Sequence, residues 1–272
     1  MKYDLIYSCT AHEKHEVVYN LYENIMKFHK GFNVLVLFHC NPPLYKDCVD
    51  LLPQHNNLVF HPAPTFKERF TSSLFLAHLE NFKYVQDIDF EFFCTLASNC
   101  MFVHPPLIDL IRNETPHINV TQTGYKMPDP DRWSHAEFVK NARLVEIFMQ
   151  IDAEVCLMTH EGAYFRKQTM GAMVALCDNW GINKDIFINE IAAEEIVLPS
   201  LEKYLTGAIG KRYCGWIPGI KESDVQSVIE TGTCRSLAGH YNNILKIPRD
   251  MENPMRKLLT ERLTNAQEPI TL

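Results

Sequence analysis

The chain has 272 residues, enough to bury a sizeable core in one large domain or two tightly joined small ones. Its apolar fraction of 46% and charged fraction of 22% are those of an ordinary globular protein. A net charge of −7 argues against a general nucleic-acid or anionic-membrane surface, so any polyanion must meet local cations rather than a global field.

In chain order, "YDLIYSC" reads as a strand and "HEKHEVVYNLYENIMKF" has helical spacing. "FNVLVLFHC" is a continuous apolar strand of the kind buried on both faces of a parallel sheet, and "NLVFHP" is a short fourth element. "SSLFLAHLENFKYV" is again helical and "FEFFCTLAS" is a strand. Strand–helix–strand–strand–helix–strand in about 100 residues predicts an α/β nucleotide-binding half. Ligands in such sheets sit at the carboxyl ends of the strands, here "SCT", "HCN" and "ASNC".

The second half is more mixed. "NARLVEIFMQID" predicts a helix, "VCLMTHEGAYF" a strand, and "RKQTMGAMVALCDNWG" a helix stopped by Gly181. "EEIVLPSLEKYLTG" predicts a helix with Pro199 near its first turn, and the tail follows with "NNILKIPRD" and "NPMRKLLTERL". No repeat, low-complexity segment or Gly/Ser linker divides the chain, so one domain over 1–272 is expected, with 1–105 a nucleotide-binding half and 106–272 an acceptor-binding and catalytic half.

No run reaches the ~18 apolar residues a membrane span requires, and "MKYDLIYSCT" reads as a strand rather than a signal peptide. Nine cysteines without a CxxC pair, set mostly in apolar patterns, predict free buried thiols. A cytoplasmic protein without a membrane span is the expectation. The N-x-T matches at Asn113 and Asn119 then carry no glycan.

Among chemical motifs, Walker A, GxGxxG, GxSxG and HExxH are all absent from the sequence. His12 and His15 read as a solvated helix face rather than metal ligands. Asp87/Asp89 and Asp129/Asp131 match the short DxD pattern that holds a divalent cation on a sugar-nucleotide diphosphate. Asp87 and Asp89 precede a strand and so fall at its amino end, while Asp129 and Asp131 lie in a proline-bracketed turn. Both pairs therefore read as structural, and no metal or other cofactor is expected. The cationic tail, with Arg235, Lys246, Arg249 and Arg256, is a candidate metal-free clamp on a leaving diphosphate. Glu194 and Glu195, at the start of a predicted helix, read either as acids complementing the helix dipole or as the seat of a general base.

The order of segments resembles the core-2/I-branching and peptide O-xylosyltransferase family, inverting GT-A glycosyltransferases that work without a metal. "FEFFCTLASNCMFV" is similar to its Y-F-x-x-L-S-G-S-D-Y-P-L strand, and "LFHCN" to its I-H-V-D strand end. "EGAYFRKQTMGAMVAL" resembles its S-x-x-x-F-x-x-x-R segment, "AAEEIVLPSL" its S-P-D-E-x-x-x-x-T-L, and "NNILKIPRD" its late lysine segment. The resemblance implies a GT-A-like α/β domain, with Glu195 as the catalytic carboxylate, Glu194 on the preceding acidic position, and Lys246 on the diphosphate with Arg235. Arg249 of the cationic tail joins the expected clamp, and on a helix Glu195 can face the cleft while Glu194 caps or pairs outside. The family's acidic residues are replaced by Cys100 and Asn41, which leaves the nucleoside contacts and the donor open. The expected donor contacts are Ser8, Cys9, Thr10, Asn41, Ser98 and Asn99; the expected acceptor contacts are Trp133, His160, Glu161 and Trp216. A UDP-sugar donor and a glycan or glycoprotein acceptor are the expected partners. UDP-xylose ranks slightly ahead of UDP-N-acetylglucosamine. The alternatives are a metal-dependent transferase using Asp87 and Asp89, and a non-catalytic carbohydrate-binding protein.

Overall fold

A computed structural model describes residues 2–63, 73–104, 111–112, 138–187, 192–210, 212–215, 223, 225–227 and 243–265. The strands β1 (Tyr3–Ala11), β2 (Val34–Cys40), β3 (Leu58–Phe60), β4 (Phe90–Ala97) and β6 (Ala163–Arg166) form one sheet in the order β3-β2-β1-β4-β6. The first four are mutually parallel and β6 is antiparallel to β4, so the second half of the chain completes the sheet begun by the first. Helices lie on both faces: α1 (His15–Phe28) and α2 (Pro42–Leu51) on one; α3 (Ser73–Val85), α4 (Ala142–Gln150), α5 (Lys167–Trp180) and α6 (Ala193–Thr206) on the other. The fold is thus α/β, a mostly parallel sheet flanked by helices, as the sequence predicts.

Strand periodicity divides the core in two. From β1 and β2, Leu5, Tyr7, Cys9, Val34, Val36 and Phe38 pack toward α1 and α2, while Ile6, Leu35 and Leu37 pack toward α3 to α6. On the second face the strands become polar toward their carboxyl ends: Ile6 gives way to Ser8 and Thr10, Leu37 to His39, Phe93 to Thr95, all of them buried. A small second sheet, β5 (Cys100–Phe102), β8 (Ile244–Lys246) and β7 (Cys214–Gly215) in the order β5-β8-β7, stands beside those ends, backed by α7 (Pro254–Asn265). Its register sets Lys246 opposite Cys100, just beyond the end of β4.

Three local expectations change. α2 is a helix the sequence reading passes over: Asn41 caps it, its Oδ1 accepting the Leu44 N–H at 3.1 Å, and Pro occupies the first helical position. α1 begins at His15, so His12 precedes it and the two histidines share no helix face. Of "VCLMTHEGAYF", only Ala163–Arg166 joins the sheet as β6, because residues 154–158 bond to α6 instead. α5 does end on Gly181, left-handed at φ 67°, and α6 on Gly207 at φ 78°. The eight cysteines among the described residues are free, seven of them buried. Among the described residues no helix is long and apolar enough to cross a membrane.

Candidate active site

Four segments meet where the polar ends of the strands face the small sheet. The 154–161 segment runs along α6 in the opposite direction to the helix. Glu154 pairs with Lys203, the Cys156 N–H donates to Ser200 Oγ at 2.8 Å, and the Met158 N–H donates to the Glu195 carbonyl at 2.9 Å. It delivers His160 and Glu161 to the amino end of α6, where Glu194 and Glu195 sit. Thr95 of β4 grips this corner, its hydroxyl donating to the His160 carbonyl at 2.6 Å and its carbonyl accepting the Gly162 N–H at 2.9 Å. Gly162 is required here: its φ is +70°, and a Cβ would come within 2.6 Å of the Cys214 nitrogen.

Lys246 reaches this corner from β8 and pairs with Glu161, Nζ to Oε1, at 2.6 Å. Burial pushes the Glu161 carboxyl up, but the neighbouring cations outweigh it and hold the group below its ordinary range. His160 lies 3.5 Å from Glu161, yet burial lowers its own pKa to about 4, so at neutral pH Lys246 is the charge that keeps Glu161 ionised. Burial lowers Lys246 as well, and Glu161 more than restores it, so the ammonium stays charged.

The two adjacent acids fare differently. Glu194 is buried, and burial, with smaller contributions from Glu195 and Glu161, pushes its carboxyl well above the ordinary value. Burial thus favours its neutral, protonated form. Glu195 is half-buried, and burial followed by the Glu161 charge brings it up to about 7. The expectation that Glu194 caps the helix or pairs outside is corrected: it is the more buried of the two, and its Oε2 has no hydrogen-bond partner among the described residues. Neither acid caps the helix, whose N-cap is Ala192. Pro199, expected in the first turn, is the seventh residue of the helix.

Several expected donor contacts are already engaged. Cys9 is fully buried in the apolar layer beneath α1. Ser8 sits in a buried hydrogen-bond chain: Asn81 Nδ2 donates to Ser8 Oγ at 2.9 Å, the Ser8 hydroxyl donates to His78 Nδ1 at 2.7 Å, and His39 Nδ1 donates to Asn81 Oδ1 at 3.2 Å. Its hydroxyl orients His78, whose ring packs 5.3 Å from that of His160. Asn41 is committed to its cap and to the His12 carbonyl. Thr10 Oγ1 and Asn99 Oδ1, by contrast, are buried without a hydrogen-bond partner among the described residues, as are both ring nitrogens of His160, Glu161 Oε2 and Glu194 Oε2. Such atoms, gathered at one corner, suit a polar ligand, since an unsatisfied buried polar group costs about 1–3 kcal/mol.

Arg249 lies beside this corner and pairs with Glu13, and its Nε donates to Ser98 Oγ at 3.0 Å. Ser98 in turn donates to Glu13 Oε2 at 2.6 Å. Glu13, His39, His78 and Asn81 are the residues that sequence reasoning missed. A signal existed for three of them, since polar side chains interrupt otherwise apolar runs in "VLVLFHC" and "SLFLAHLENF". Trp133, Trp216 and Arg235, together with Asp129 and Asp131, lie outside the described residues. Asp87 and Asp89 sit between α3 and β4, at the opposite edge of the sheet, so a metal site built on them would be remote from Lys246 and Glu195.

No family model matches the sequence, and no curated protein matches it. Among solved structures, the chain is similar to the apo structure of the WbbM bifunctional glycosyltransferase, with a TM-score of 0.44 and 8% identity over 98% of this chain. The chain spans 50% of that structure's length.

Proposed function

We propose that the protein is an inverting glycosyltransferase that moves a sugar from a UDP-sugar to a hydroxyl of a glycan acceptor, without a metal. The observation that carries this reading is that one carboxyl brought to about 7 and one half-buried lysine, held charged by Glu161, lie together at the carboxyl edge of a mostly parallel sheet. A general base is most effective when its pKa lies near the working pH. Glu195 takes the proton of the acceptor hydroxyl as the oxygen bonds to the anomeric carbon from the face opposite the diphosphate. The bond from that carbon to the phosphate oxygen breaks, the electron pair leaves with UDP, and the configuration inverts. An ammonium has three N–H donors, so Lys246 can keep one on Glu161 and turn the others to the leaving phosphate. Arg249 and Arg235 are the proposed companions. Ser8, Thr10, Ser98 and Asn99 are the proposed donor contacts, with His160 and Glu161 on the acceptor side beside Trp133 and Trp216. UDP-xylose is favoured slightly over UDP-N-acetylglucosamine on the sequence resemblance.

The test uses UDP-sugar turnover and UDP binding together. Glu195→Gln should lower turnover by about 10²–10⁴-fold, the usual contribution of general-base catalysis, and leave UDP affinity unchanged. EDTA should leave wild-type turnover unchanged. Chelation that abolishes turnover, restored by Mn²⁺, would remove the metal-free step, and full activity in Glu195→Gln would remove the base.

A further inference from the structure

Pro199 stands in the interior of α6 and has no N–H. In an α-helix that N–H would bond to the carbonyl four residues earlier, which belongs to Glu195. The freed carbonyl is instead taken by the Met158 N–H at 2.9 Å, from a segment outside the helix. The ties at Ser200 and Lys203 continue the same seam, so the 154–158 segment is laid along the helix from residue 203 back to residue 195. Its next residues are His160 and Glu161, and Glu161 holds Lys246 at 2.6 Å. One proline thus opens the backbone carbonyl of Glu195, to which the segment carrying Glu161 is fastened.

We propose that Pro199 is a positioning residue: by vacating the Glu195 carbonyl for the Met158 N–H, it sets Glu195 and the Glu161–Lys246 pair at a fixed separation. The proposal rests on the glycosyltransferase reading for its functional consequence, though not for the tether. A proline inside a helix is normally a cost, and alanine there is the most favourable replacement. Pro199→Ala supplies an N–H that competes for the Glu195 carbonyl from within the helix, relaxing the seam while improving the helix. Stability and activity should therefore move in opposite directions, which a merely structural role would not produce.

The experiment compares wild type, Pro199→Ala and Pro199→Gly in amide hydrogen exchange, thermal melting and UDP-sugar turnover. Both variants restore the N–H, but Gly has poor helix propensity, so Tm should hold or rise with Ala and fall with Gly. The Met158 amide should exchange at least about tenfold faster in both, as a local opening no longer held by that bond. Turnover at saturating substrates should fall by about tenfold or more in both, with KM for the donor nearly unchanged, since a misplacement of ~1 Å costs on the order of 10²-fold. Unchanged protection of Met158 in both variants, or turnover that simply tracks Tm, overturns the proposal. A wild-type protein that turns over no nucleotide sugar overturns the glycosyltransferase reading instead, and Met158 exchange still decides whether the tether exists.

Discussion

Glu194→Gln should stabilise the protein, and should do so more strongly as the pH rises. Burial holds the Glu194 carboxyl well above its ordinary value of 4.5, so the folded chain keeps a proton there that the unfolded chain releases. A carboxyl raised on folding contributes stability that is present in full below its unfolded value and is lost as pH rises toward its folded value. Each pH unit in that window removes about 1.4 kcal/mol. As the pH rises above the unfolded value the wild type therefore loses stability at this one residue, and the glutamine, which does not titrate, loses none. The amide keeps the shape of the acid but adds a buried N–H, which contributes an offset independent of pH. The slope is thus the quantity to read: urea unfolding at pH 5, 6, 7 and 8 should show the difference between variant and wild type growing by over 1 kcal/mol per unit until Glu194 itself ionises. A difference that stays flat, or that shrinks with rising pH, would mean Glu194 is ionised in the folded protein and would refute its description as a buried neutral acid.

Two further outcomes follow from the site. Lys246→Ala should destabilise the fold by about 3–5 kcal/mol, because it leaves the Glu161 carboxylate buried and unpaired, and should weaken UDP binding. Adding Glu161→Gln should recover most of the stability but not the UDP affinity; recovery of both would make the lysine a structural counter-ion only. Asn41→Ala should cost about 1 kcal/mol through loss of the α2 cap and leave UDP affinity unchanged, whereas weakened UDP binding would return Asn41 to the nucleoside contacts.

The strands of the nucleotide-binding half were legible because apolar runs such as "FNVLVLFHC" are long and bounded by breakers. α6 was legible from its acidic start and terminal glycine. α2 was not: "NPPLYKDCVDLL" looks like a proline-broken loop until Asn41 is seen to cap it and Pro42 to take the first helical position. The cluster of Glu161, Glu195 and Lys246 could be named from sequence resemblance, but not its electrostatics. Which of two adjacent acids is buried depends on what packs beside the helix, and the 154–158 segment bonded along it carries a continuous apolar run that mimics a sheet strand. Pro199 gave a misleading cue for the same reason. Proline is common in the first turn of a helix, and only a partner from outside the helix makes one tolerable two turns in.

The proposed binding of a nucleoside diphosphate sets an acidic chain an electrostatic problem, and the site's carboxyls bear on it directly. If Glu161, Glu194 and Glu195 were all ionised beside one lysine, the corner would carry a net charge of about −2 and repel the donor. Burial favours the neutral form of Glu194, and Lys246 cancels Glu161, so the corner approaches neutrality while Glu195 holds its proton. Arg249 is balanced in the same way by Glu13, a pairing that leaves a cation for phosphate only by giving up a carboxylate. Donor binding is thus favoured by a protonated Glu195, and proton abstraction from the acceptor by an ionised one. Those opposed demands are both met only by a carboxyl that titrates near neutrality, and burial places Glu195 at about 7.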